Sequence, residues 1–217
     1  MDILIKAKRL LFLAFVLVVL SQISAKSSTD VGPGDDMQKA FKESYAFEKK
    51  SEYGSAIEAI KKVYDENVYE VNLRLGWLYY LNKQYDESVS YYEKAITLMP
   101  NAIEPKFGIT QPLASQEKWE KVYMQYSAIL AIDPQNTKAN YYMGLGCYYK
   151  ADYQGAFKYF EKVTSLYPFD GDSQLMLAWT NFQLGKAKVA EELFRKVLLI
   201  YPDNSSALEG LTLLNKK

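Results

Sequence analysis

Ala156-Phe157-Lys158-Tyr159-Phe160-Glu161-Lys162-Val163-Thr164-Ser165-Leu166-Tyr167-Pro168 is the stretch from which the rest of the chain can be read. Its Ala156, Phe160, Val163 and Pro168 return 34 residues earlier as Val122, Tyr126, Ile129 and Pro134, and 34 later as Ala190, Phe194, Val197 and Pro202. A further copy stands at Ser88, Tyr92, Ala95 and Pro100. Upstream in each copy, 24 residues before the proline, comes Gly76, Thr110, Gly144 or Ala178, where helices must approach closely. Fifteen before it an aromatic residue, Tyr85, Trp119 or Tyr153, closes the turn between paired helices, and only the last copy departs, with Ala187. Apolar residues three and four apart put one stripe on a 3.6-residue helix. A fixed period of this length marks a helical solenoid.

Leu75-Gly76-Trp77-Leu78-Tyr79, Met143-Gly144 followed by Cys147, Ala156 to Phe160 to Pro168, and Ala190 to Phe194 to Pro202 together resemble the tetratricopeptide repeat family. The resemblance implies an all-α, right-handed solenoid of five helix pairs and a capping helix. The units fall at 37–68, 69–102, 103–136, 137–170 and 171–204, with the cap over 205–217 and Ser205 or Ser206 as its N-cap. The first unit diverges: it keeps Tyr53, Ala56 and Ile60 but ends at Asp65-Glu66-Asn67 without proline. Where the family often has Trp at the fourth position, this chain has Asn72, Lys106, Asn140 and Gln174. Met143, Cys147 and Ala151 share one predicted helix face, and Pro112 is expected to kink or shorten the first helix of the third unit.

A different signal stands at the amino end, where Lys6, Lys8 and Arg9 precede the wholly apolar run Leu10 to Leu20. That run is shorter than the ~20 residues a spanning helix needs and reads as a signal peptide, residues 1–25, cleaved after Ala25. The expected location is periplasmic or secreted; the alternative keeps the segment as an inner-membrane anchor. Residues 26–36 are polar and rich in turn formers, a flexible leader before the fold.

Removing residues 1–25 takes away three basic and one acidic side chain from the 26 of each, leaving 23 against 25. With no basic surplus there is no electrostatic basis for nucleic-acid binding. The chain has one cysteine and no histidine, which excludes the common zinc sites and histidine-base chemistry; no metal or cofactor is expected. Cys147 reads as a small buried hydrophobe. Glu117 with Glu120, and Glu191 with Glu192, have lysine neighbours and read as solvated surface rather than an acid and base pair. Gly144 and Gly146 lie inside a helical pattern, the wrong context for a dinucleotide loop.

In the resembling family the first helix of each pair lines the concave face. Carried over, that places Leu73, Trp77 and Tyr80 of the second unit and Phe107, Gln111 and Ala114 of the third in the groove. Tyr141, Leu145 and Tyr148 follow from the fourth unit, and Leu175, Trp179 and Phe182 from the fifth. The implied function is a non-enzymatic scaffold binding a protein or peptide partner of the cell envelope through an aromatic groove. Alternatives are a self-associating or structural subunit of a secretion or outer-membrane assembly complex and, more remotely, a glycan binder. An aromatic row on a helix can also be plain packing.

Overall fold

A computed structural model describes residues 33–216. The expected signal peptide, residues 1–25, and residues 26–32 of the expected leader lie outside the described residues. Among the described residues eleven helices follow one another: α1 Pro33–Glu48, α2 Tyr53–Lys61, α3 Tyr69–Leu81, α4 Tyr85–Leu98, α5 Glu104–Ser115 and α6 Trp119–Ile132, then α7 Thr137–Tyr149, α8 Tyr153–Leu166, α9 Gly171–Gln183, α10 Ala187–Ile200 and α11 Ser205–Leu214. The first ten form five hairpin pairs and α11 covers the last. The all-α solenoid read from the 34-residue period is the observed fold. Among the described residues no helix is long and apolar enough to cross a membrane.

In the second and fourth pairs an aromatic ring is laid on a glycine of the partner helix. A Cβ on Gly76 would stand 2.9 Å from the Tyr92 ring, and one on Gly144 2.7 Å from Phe160. Rings of this column also reach the next unit: Tyr92 lies against Gly108, and Phe194 against Gly210 of α11. Fully burying one such side chain stabilises by roughly 1.5–3 kcal/mol, and only a residue without a Cβ lets the backbones close so far.

Each pair turns in the same way. After the first helix one residue is left-handed: Ser51, Lys83, Glu117, Ala151 and Gly185, with φ between 57° and 74°. The next amide then bonds back five residues in a Schellman closure, as in Asp152 N to Cys147 O at 2.9 Å and Lys186 N to Asn181 O at 2.9 Å. Four of the five positions are not glycine. Ala151 therefore sits in the turn and not on the stripe with Met143 and Cys147, because α7 stops at Tyr149.

Between units, the fourth-position residues make a second kind of closure. Asn140 Nδ2 donates to Pro134 O at 3.2 Å and Asn136 O at 2.8 Å. Gln174 Nε2 reaches Pro168 O at 3.0 Å, and Asn72 Nδ2 reaches Glu66 O at 2.8 Å where the first unit lacks its proline. Lys106 donates its ammonium to Pro100 O and to Ala102 O, and burial holds its pKa below the usual lysine value. Any buried donor that reaches this carbonyl ties one unit to the next.

Three local readings change. The α1 helix begins at Pro33, inside the expected leader, since proline suits a first turn and Asp35 and Asp36 face the helix dipole there. Pro112 does not shorten α5, which ends at Ser115 in the same register as its counterparts; so close to the end a proline loses only one helical bond. The cap of α11 is Asn204, whose side chain accepts from Ala207 N at 2.9 Å, not Ser205 or Ser206.

Replacing Ala151 by glycine relieves a left-handed alanine at φ 60° and should raise unfolding stability by about 1 kcal/mol; a urea midpoint that stays put or falls would refute the strain. Burial raises the Tyr92 phenol far above its ordinary value, with the Glu104 carboxylate adding to the effect, and raises Tyr126 against an opposing hydrogen bond with Thr110. Folded chains keep these protons after unfolded chains lose them, so this stabilisation is complete below pH about 10 and declines as pH rises further. Base titration followed by helical circular dichroism should show unfolding begin above that pH, and Tyr92→Phe should move the midpoint upward.

Candidate functional site

First helices of successive units touch directly, α3 with α5, α7 with α9 and α9 with α11, which puts them on the inner curve of the array. On α3, Trp77 is 37% exposed and its Nε1 donates to Glu48 Oε1 of α1 at 2.8 Å. Tyr80 lies 5.7 Å from the Trp77 ring and its hydroxyl reaches Gln111 Oε1 of α5 at 3.5 Å, the outer limit of a hydrogen bond. Leu73 is half-buried against the core of the next unit. Phe107 packs on Tyr126, with the Lys138 ammonium 4.8 Å from its ring centroid.

Farther along, α7 sets Tyr141 edge-on to Phe160 and Tyr148 against Tyr153. Burial raises the Tyr141 and Tyr148 phenols. On α9, Trp179 stands edge-on to Phe182 and Phe194 and donates to Ser206 Oγ of α11 at 2.8 Å. Leu175 and Phe182 pack in the same cluster. The inner face is thus a row of half-buried ring edges, with Trp77 and Gln111 exposed.

Behind Trp77 is a polar cluster that sequence reading missed. Arg74 is 6% exposed; its guanidinium pairs with Glu48, donates from Nε to Ser44 Oγ at 3.0 Å and lies 4.0 Å from the centroid of the Tyr45 ring. Both Arg74 and Trp77 converge on one carboxylate, fixing α1 to α3. A lone charge inside a helical stripe, Arg74, was the available signal.

Between α5 and α7 the first helices draw apart, and a cavity of about 640 Å³ opens with α6 as its floor. Two columns explain it. Position nine runs Trp77, Gln111, Leu145, Trp179, and position twelve runs Tyr80, Ala114, Tyr148, Phe182. Only the third unit lacks a large apolar side chain at both. Gln111, Ala114 and Leu145 of the expected groove line the cavity together with Trp119, Tyr123 and Tyr126 of α6, none of which sequence reading placed there. Tyr142 stacks on Tyr126 with ring centroids 5.2 Å apart, and Gly146 leaves room for Tyr123, whose ring would stand 2.4 Å from an added Cβ. Nearby, Cys147 is half-buried rather than fully so. Burial, with the Asp152 carboxylate assisting, raises its thiol pKa, so the thiolate is disfavoured at neutral pH.

Comparison with known families matches tetratricopeptide repeat profiles to residues 69–102 and 138–205. Among curated proteins none matches the sequence. In solved structures the chain is similar to a tetratricopeptide repeat protein from Parabacteroides merdae, with 20% identity, 83% of this chain and 73% of that one covered, and a TM-score of 0.71. It is also similar to the MamA protein, at 19% identity over 79% of this chain and 95% of that one with a TM-score of 0.67. MamA from residue 41 onward of Desulfovibrio magneticus RS-1 gives 19% identity, 80% and 99% coverage and a TM-score of 0.67. At these identities the likeness is one of fold.

Removing the Glu48 carboxylate leaves Arg74 buried without its counter-ion, so Glu48→Ala should lower stability by about 3 kcal/mol in guanidinium unfolding; a loss within ±0.5 kcal/mol, the usual range for surface substitutions, would mean that α1 is not anchored through this pair.

Proposed function

The chain is a tetratricopeptide repeat protein, and from that premise we propose that it is an exported, non-enzymatic scaffold whose inner face holds a protein or peptide partner of the cell envelope. The observation that carries the reading is the inner face itself, where ring edges and exposed Trp77 and Gln111 lead into the opening between α5 and α7. These are aromatic, aliphatic and amide groups, suited to burying a partner's surface and not to moving protons. Export rests on Lys6, Lys8 and Arg9 ahead of Leu10 to Leu20, and places the protein in the periplasm or outside the cell. One observation favours a second reading, self-association: Leu199, Leu208 and Leu213 are exposed at the carboxyl-terminal end of the array.

A photoreactive residue replacing Gln111, in cells that make the protein, should yield a covalent product with another polypeptide, while the same probe at Lys158 on the outer helix α8 should not. Products containing only this chain would replace the scaffold reading with self-assembly, and equal labelling from both positions would remove the inner face as the working surface.

A further inference from the structure

We propose that the cavity between α5, α6 and α7 receives a segment of the partner protein that presents bulky apolar side chains beside a carboxylate. This deepens the scaffold reading and rests on it. The apolar half of the assignment comes from the walls. Trp119 is 51% exposed and Tyr149 78% exposed, and with Tyr123, Tyr142 and Leu145 they surround a volume in the range of sites that enclose organic ligands. Aromatic groups left in water around a concavity are the composition of interface hot spots.

The carboxylate half comes from charge. Lys150 is the one charged side chain of the lining, with no aspartate or glutamate beside it there. Its ammonium is held 5.1 Å from the centroid of the Tyr123 ring, and it is in none of the ion pairs among the described residues. A cation kept over an aromatic wall, with no anion of its own, complements an acidic residue that arrives next to the apolar anchor. A sugar fits less well. Its hydroxyls need clustered polar acceptors, whereas Gln111 supplies the one amide side chain and the Thr110 hydroxyl already donates to Phe107 O at 2.7 Å. The site is specific to this junction, because Ala114 and Gln111 stand where the second and fifth units carry Tyr80 with Trp77 and Phe182 with Trp179.

The test is a random-peptide phage library panned on the purified chain. Enriched peptides should pair Leu, Phe, Trp or Met with a neighbouring Asp or Glu. A synthetic peptide of that sequence should bind about tenfold more weakly to Ala114→Tyr, which restores the side chain found in two other units, and to Tyr149→Ala, which removes an exposed ring. Lys150→Glu should cost about tenfold as well, and exchanging the peptide's acidic residue for lysine should recover it. Peptides that bind Ala114→Tyr as well as the native chain overturn the cavity and leave the scaffold reading in place. No enrichment at all overturns both. Binding that ignores Lys150→Glu, an oligosaccharide that quenches Trp119 in place of any peptide, or a concentration-dependent dimer abolished by Ala114→Tyr each overturns the assignment.

Discussion

The stacking of this molecule depends on how closely an aromatic ring of one helix can settle on the backbone of the helices beside it. At Gly76 and Gly144 the missing Cβ lets the Tyr92 and Phe160 rings lie on the partner backbone, and the Tyr92 ring then spans both its own pair and the next. A pair alone would leave half of that ring in water. Stacking supplies the cover, which is why stability in such an array is a sum of units and of the contacts between neighbours. At the far end Phe194 would have no next unit; α11 provides one with Gly210.

Two polar closures set the spacing that the rings then fill. Within a pair, a left-handed residue and a Schellman bond end the first helix at a fixed point. Between pairs, a buried donor reaches the carbonyl of the residue that closes the previous unit. The donor's identity varies among Asn72, Lys106, Asn140 and Gln174, and the tie persists because hydrogen bonding to a carbonyl asks only for an N–H at the correct height. Lysine is the exception in energetic terms, since burial disfavours its charged form.

The solenoid was legible in sequence because its rule is a spacing rule: Tyr92, Tyr126, Phe160 and Phe194 recur at one interval, and side-chain size is written in the residue name. Other features do not announce themselves in that way. The turn residues Ser51, Lys83, Glu117 and Ala151 share only a backbone angle, which glycine alone would have signalled. The role of Asn72 and its counterparts is hidden by their different chemistry. Arg74 and Glu48 lie on helices that the linear sequence does not bring together. For the site, Gln111, Ala114 and Leu145 stood among the groove residues, but their meaning is the volume they fail to fill, and Trp119, Tyr123 and Tyr126 belong to helices assigned to the outer layer.

A solenoid behaves as a spring, and the gap between α5 and α7 makes one coil of this spring softer than its neighbours. The segments on either side are joined there mainly through α6, which leaves this joint less braced than the ones next to it. An occupant wedged between the two helices would act first on the angle between the units on either side of it.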